Sequence, residues 1–175
     1  MCQTVAMDRD PTTRPDPVDL ITDQWAQVRP DLRTDAMAAF GRIYRIARTM
    51  GDRMERTYAR YGISRGEFDV LATLRRADAP HSLSPRELTA TLMLTTGGMT
   101  GRLDKLERAG HITRSPDPHD RRSVRVTLTP AGLDLVEAAV GAGVTVQQEA
   151  LEVLTGGEVA ELNRLLRLLL GATSH

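Results

Sequence analysis

The residues with the most chemistry to offer in this chain lie between Thr95 and Thr129. Thr95, Thr96 and Thr100 bring hydroxyls, Lys105 and Arg108 bring cations, and Gly97, Gly98 and Gly101 keep the surface between them low. Each glycine costs a helix about 1 kcal/mol against alanine, a cost that a backbone lying close against a ligand offsets. Threonine hydroxyls and methyls meet phosphate oxygens and thymine methyl groups, while Lys and Arg neutralise phosphates, so the set suits a DNA groove. Close helix packing is the other reading of the same glycines. Past Gly110, two alternating segments, His111 to Ser115 and Ser123 to Leu128, predict a β-ribbon around the turn Pro116-Asp117-Pro118-His119-Asp120-Arg121-Arg122. Arg121 and Arg122 at its tip suit the negative potential of a minor groove, with Asp120 orienting an arginine. A solvated charged turn is the plain alternative. A helix showing small residues and cations, followed at once by such a ribbon, has the layout of a winged helix-turn-helix.

The elements that must position this pair can be read along the chain. Residues 1–15 carry Pro, Thr, Asp and Arg without periodicity and are expected to be a disordered tail. Asp16-Pro17 predicts the start of a helix with Leu20, Ile21, Trp25 and Val28 on one face, stopped by Pro30. From Thr34 a longer helix is predicted, with Met37, Phe40, Tyr44, Ala47, Gly51, Met54 and Tyr58 in a heptad-like stripe, ended by Gly62. Ser64-Arg65-Gly66-Glu67 and Ser84-Pro85-Arg86-Glu87 are capping boxes that open two short helices. Met99, Leu103 and Leu106 form the inward side of the Gly-rich helix. Thr129-Pro130 opens a helix with Leu133, Val136, Val140 and Val144 on one side, and Thr155-Gly156-Gly157-Glu158 opens a last, strongly apolar one. The expected fold is therefore mainly α with a small β-wing. The expected division is an N-terminal and dimerisation part (16–62), a winged helix-turn-helix DNA-binding domain (63–129) and C-terminal dimerisation helices (130–171). Terminal helices with more apolar surface than the central module can cover predict a homodimer, whose two-fold symmetry suits a palindromic operator.

Composition narrows the classes of function. The formal net charge is zero, yet Gly97 to Arg125 holds seven Arg or Lys against four Asp or Glu, which places +3 on this segment and −3 on the remainder. A duplex reader needs only a local basic face. Aromatics are 3% of the chain, too few for a base-stacking platform, which favours double-stranded DNA over single strands or RNA. No run is apolar enough to span a bilayer, no signal-peptide pattern opens the chain, and Cys2 is the only cysteine, so a cytoplasmic setting without membrane contact is expected. Cys2 has no fixed cationic neighbour and is expected to be a passive thiol. His81, His111, His119 and His175 have no metal-ligand spacing, and neither a phosphate loop nor a catalytic constellation is present, so no cofactor, no metal and no enzymatic activity are expected.

The segment from Asp120 to Thr129 resembles the wing signature of the MarR family of bacterial transcriptional regulators: an Asp, an Arg two positions on, then Leu-Thr after five more residues. The resemblance runs from about Asp35 to Leu170. It implies a dimer with interlocked first and last helices, an extra N-terminal helix in this chain, and a repressor whose DNA affinity falls on binding a small ligand. A narrower likeness is to the urate-responsive branch of HucR and PecS type. That likeness implies a ligand set of Trp25, Asp69, Arg102 and Arg114. In it Trp25 would face a planar heterocycle, and Arg102 and Arg114 would hold an anion such as urate, xanthine or another aromatic anion. Asp69 would pair with the arginines when the ligand is absent. Plain alternatives are Trp25 in a core, Arg102 on phosphate and a structural Asp69–Arg pair. At the level of function, the alternatives to ligand-released operator binding are a constitutive or redox-gated regulator without a purine site, and a winged-helix module that binds protein.

Overall fold

The computed structural model describes residues 14–92, 96–117 and 123–173, with the side chains of Thr96 and Gly97 outside that description. Thr95, Asp120, Arg121, Arg122 and all but two residues of the expected tail therefore lie outside the described residues. The chain divides into two compact units between Gly51 and Asp52.

In the first unit, α1 (Pro17–Val28) is opened by Asp16, whose side chain accepts from the Val18 and Asp19 amides while Asp19 accepts from the Asp16 amide. Arg42 from the following helix, α2 (Asp35–Ala59), binds both carboxylates. Val18 is buried and lies against Gly41, whereas Leu20, Ile21, Trp25 and Val28 stay exposed. The predicted stripe on α2 is split: Met37, Phe40 and Tyr44 are exposed in the first unit, and Met54 and Tyr58 enter the core of the second.

The second unit is built around that core. After Tyr58, Gly62 turns the chain at φ +74, and the capping box Ser64/Glu67 opens α3 (Arg65–Arg76) as predicted. Strand β1 (Ser82–Leu83), α4 (Pro85–Leu92), α5 (Thr96–Arg108), β2 (Ile112–Pro116) and β3 (Val124–Leu128) follow. The three strands form an antiparallel sheet in the order β1-β3-β2. β1 covers β3 only at Thr127 and Val126, while β2 pairs with it along its whole length. The two-residue β1 was not foreseen from the sequence, being too short for any alternation to show. Leu71 and Leu74 of α3, Leu88 of α4, Met99 and Leu106 of α5, Ile112 and Val126 are all fully buried together.

Helix α6 (Pro130–Leu151) is capped by the Thr129 hydroxyl accepting from the Gly132 amide. Its buried face differs from the predicted one. Gly132, Val136, Ala139 and Gly143 are buried, whereas Val140 and Val144 are exposed. Small residues win here because the neighbours come close: a Cβ on Gly143 would meet the Tyr58 hydroxyl at 2.6 Å, and one on Gly132 would overlap the His111 carbonyl. Helix α7 (Gly156–Thr173) buries no residue and shows a wide leucine surface. Gly132→Ala is expected to cost about 1–3 kcal/mol through overpacking. Urea denaturation should show a lower midpoint with an unchanged slope, and a parental midpoint would mean that the α6–β2 junction yields freely.

Candidate nucleic-acid interface

Helix α5 carries the candidate reading surface, and its inner side is what fixes it. Met99, Leu103 and Leu106 are buried at three- and four-residue spacing, so the residues between them must face outward. Gly98, Thr100, Gly101, Lys105 and Arg108 are all exposed. Gly110, at φ +76, closes the helix one residue past Ala109. A Cβ placed on Gly101 would meet nothing within 4 Å among the described residues, so packing against them does not require glycine there. The packing alternative for that glycine loses its ground.

The cations on this surface differ in how firmly they are held. Lys105 stands 3.6 Å from Glu67, whose side chain is almost wholly buried because it also caps α3. Arg108 donates through Nε to the Asp104 carbonyl at 3.2 Å, which turns its side chain back along the last turn. Both remain exposed enough to meet a phosphate.

Of the four residues assigned to a ligand, Asp69 feels the charge of Arg102, behind that of Arg65, and Arg114 has other partners. The Arg102 guanidinium lies over Gly66, where a Cβ would collide with it. Burial pushes the Asp69 carboxyl above its ordinary range, and the charges of Arg65, Arg102 and Arg76 pull it back only in part. The same neighbourhood holds Tyr58, stacked on Phe68 with ring centroids 3.9 Å apart. Its phenol is pushed up to about 12, by burial first and by the Asp69 charge second. Arg114, on β2, instead binds Asp104 at 2.6 Å and faces Glu107 at 3.6 Å. In place of the expected pairing of Asp69 with both arginines, α5 offers Arg114 two nearer carboxylates, and on Asp69 the charge of Arg65 acts more strongly than that of Arg102. Trp25 belongs to the first unit, half-exposed on α1.

Arg114 also lines a cavity of about 510 Å³ between α4, α5 and the wing strands, walled by Pro85, Thr89, Met99, Leu103 and Val124. Its Nε is buried without a hydrogen-bond partner. Arg86 and Thr100 border the same space. Sequence reasoning did not single out this cavity. Of its lining residues only Arg114 and Thr100 are candidate site residues in the sequence, and no periodicity in the chain marks a gap between helices.

Comparison with known proteins agrees with this geometry. Residues 61–123, from the end of α2 to the foot of β3, match the model of the MarR family. The chain is 36% identical over 146 residues to the transcriptional regulator PecS of Dickeya dadantii, covering 83% of this chain and 88% of that protein. It is 35% identical over 132 residues to the multiple antibiotic resistance protein MarR of Salmonella typhimurium, covering 74% and 90%. Among solved structures, a mutant of Escherichia coli MarR complexed with operator DNA superposes with a TM-score of 0.67 at 29% identity, covering 83% of this chain and 97% of that one.

The sign of the Asp69 shift gives a stability test. The folded chain holds this proton more tightly than the unfolded chain does, so the carboxyl favours the fold while protonated and costs stability once ionised. Asp69→Asn is therefore expected to melt above the parent near neutral pH, with the difference shrinking as pH falls through the carboxylate range. A variant that melts below the parent at neutral pH would show that the arginine contacts outweigh burial.

Proposed function

The chain belongs to the MarR family, and from that premise we propose that it is a homodimeric repressor that holds a palindromic operator and releases it when a small anion binds. As a member of that family it is a DNA-binding transcriptional regulator and not an enzyme. Among the described residues no helix is long and apolar enough to cross a membrane.

The observation that carries the reading is the open space over Gly101, on a helix whose back is buried in the core. A glycine that no neighbour in the chain demands, set among Gly98, Thr100, Lys105 and Arg108, is what close approach to a duplex requires. In this reading Thr95, Thr96, Gly97, Arg121 and Arg122 also contact the DNA. In this assignment residues 63–129 are the DNA-binding domain, and 16–62 and 130–171 supply the dimer contacts. The exposed leucines of α7 and the exposed apolar faces of α1 and α2 each support pairing with a second copy.

For the effector, two features of the second unit support an anionic aromatic ligand. One is the Arg114 guanidinium, which borders a cavity with apolar walls and whose Nε, 3.6 Å from Glu107, makes no hydrogen bond. The other is Arg102, whose guanidinium lies over Gly66 and whose charge acts on an incompletely neutralised Asp69. Urate, xanthine or a similar anion taking up Arg102 or Arg114 would draw on side chains attached to α5 or touching it. Such a ligand moves the equilibrium only by its differential affinity for the released state.

Gly101→Ala separates folding from reading. It should stabilise the protein by about 1 kcal/mol, as alanine does in a helix interior, and yet weaken binding to the DNA upstream of its own gene, measured by fluorescence anisotropy. Retained affinity would remove α5 from the interface. Titrating the same complex with urate should release the DNA, and the release should fail in Arg114→Ala. A complex that urate leaves intact discards urate as effector.

A further inference from the structure

The wing is gripped from both faces, by a different arginine on each. In the β2–β3 register Arg114 lies opposite Val126, and Ser115 lies opposite Arg125. Side chains alternate along a strand, so Arg114 shares the inner face with buried Val126 and Arg125 stands on the outer face. Arg114 reaches α5. Arg125 reaches the other way: its Nη2 donates to the Ser82 carbonyl at 2.6 Å and its Nε to the Ser82 hydroxyl at 3.3 Å. Its Nη1 donates to Glu87 at 3.5 Å, and Asp117 stands 3.9 Å away. One guanidinium thereby joins β1, the first turn of α4 and the outer end of the described ribbon, where the Asp117 amide donates to the Ser123 carbonyl.

The place of this tether matters. β1 ends its pairing with β3 at Val126, so from Arg125 outward the wing is a two-stranded ribbon, and such ribbons are marginal by themselves. Val124, one step further out, is 40% exposed and offers little burial to hold the ribbon's direction. Glu87 is a fixed anchor, since it already accepts from the Ser84 amide at 2.7 Å and its own amide donates to the Ser84 hydroxyl.

We propose that Arg125 is a positioning residue for operator binding: it sets the direction in which the wing leaves the body, through the β1–α4 corner, and touches no DNA. This rests on the reading of the wing as a DNA contact.

The test is operator affinity by fluorescence anisotropy across a salt series, with amide hydrogen exchange on the free protein. Arg125→Gln is expected to weaken binding by about fivefold, the size of one well-made ion pair, with an unchanged dependence of log affinity on log salt. A phosphate contact would instead lower that slope by about one. Glu87→Gln keeps the capping box, which Gln serves as well as Glu, and removes the anchor's charge. It should weaken binding, whereas neutralising a mere bystander anion near DNA would strengthen it. The double variant should be no weaker than Arg125→Gln alone. Amides of β2 and β3 outward of Val126 should exchange faster in both single variants. A slope reduced by one, a tighter Glu87→Gln, or parental affinity in Arg125→Gln would each overturn the tether. Arg122→Ala separates the two failures. If it binds as the parent does, the wing is off the DNA and the proposal falls with it; if it is weakened beside a parental Arg125→Gln, only the tether falls.

Discussion

Everything outward-facing in the second unit depends on the burial of Met99, Leu103 and Leu106. These three side chains press the back of α5 into the cluster formed by Leu71, Leu74, Leu88, Ile112 and Val126. Burying each is worth about 1.5–3 kcal/mol, enough in sum to carry the helix-weakening glycines on the opposite side. The same stripe decides which residues face solvent, because a helix with one face pinned has no rotational freedom left. Thr100, Gly101, Lys105 and Arg108 are presented together as a consequence of what lies behind them. The candidate reading surface is thus specified by apolar residues buried behind it.

The charges of this region are arranged so that few of them are idle. Lys105 leans on Glu67, Arg114 on Asp104 and Glu107, and Arg125 on Glu87 and Ser82. This explains how a chain of zero net charge can still present a basic face. The acidic partners sit at helix caps and on flanks, where they orient the cations without covering the front of α5. Exposed pairs of this kind contribute little to stability, about 0–1 kcal/mol each. Their effect is on direction: each keeps a long flexible side chain in a narrow range of positions before anything binds.

The fold was legible wherever a local rule applied. The caps at Asp16, Ser64, Ser84 and Thr129, the stop at Gly110 and the α5 stripe all follow from short-range physics, and each lies where the sequence placed it. The misses were non-local. The buried side of α6 runs through Gly132, Ala139 and Gly143, which a search for large apolar residues passes over. They are buried because Tyr58 and the His111 carbonyl need the space. β1 exists only because β3 offers it an edge. The candidate ligand residues show the same limit. The family likeness implied that Asp69 answers both arginines, yet Arg114 lies ten residues beyond Asp104 and pairs with it.

The surplus of apolar surface then acquires a specific meaning. α7 carries Leu162, Leu165, Leu166, Leu168, Leu169 and Leu170, all more than a third exposed, and none of its residues is buried within the chain. A soluble monomer rarely leaves so wide an apolar surface on one element. α6 shows why the chain cannot cover it alone: its small residues are spent admitting Tyr58 and Met54, and its larger Val140 and Val144 point away. The second unit therefore uses α6 twice, with a close-packed side toward its own core and an open side for another surface. A helix built this way joins the packing beneath α5 to whatever covers the leucines.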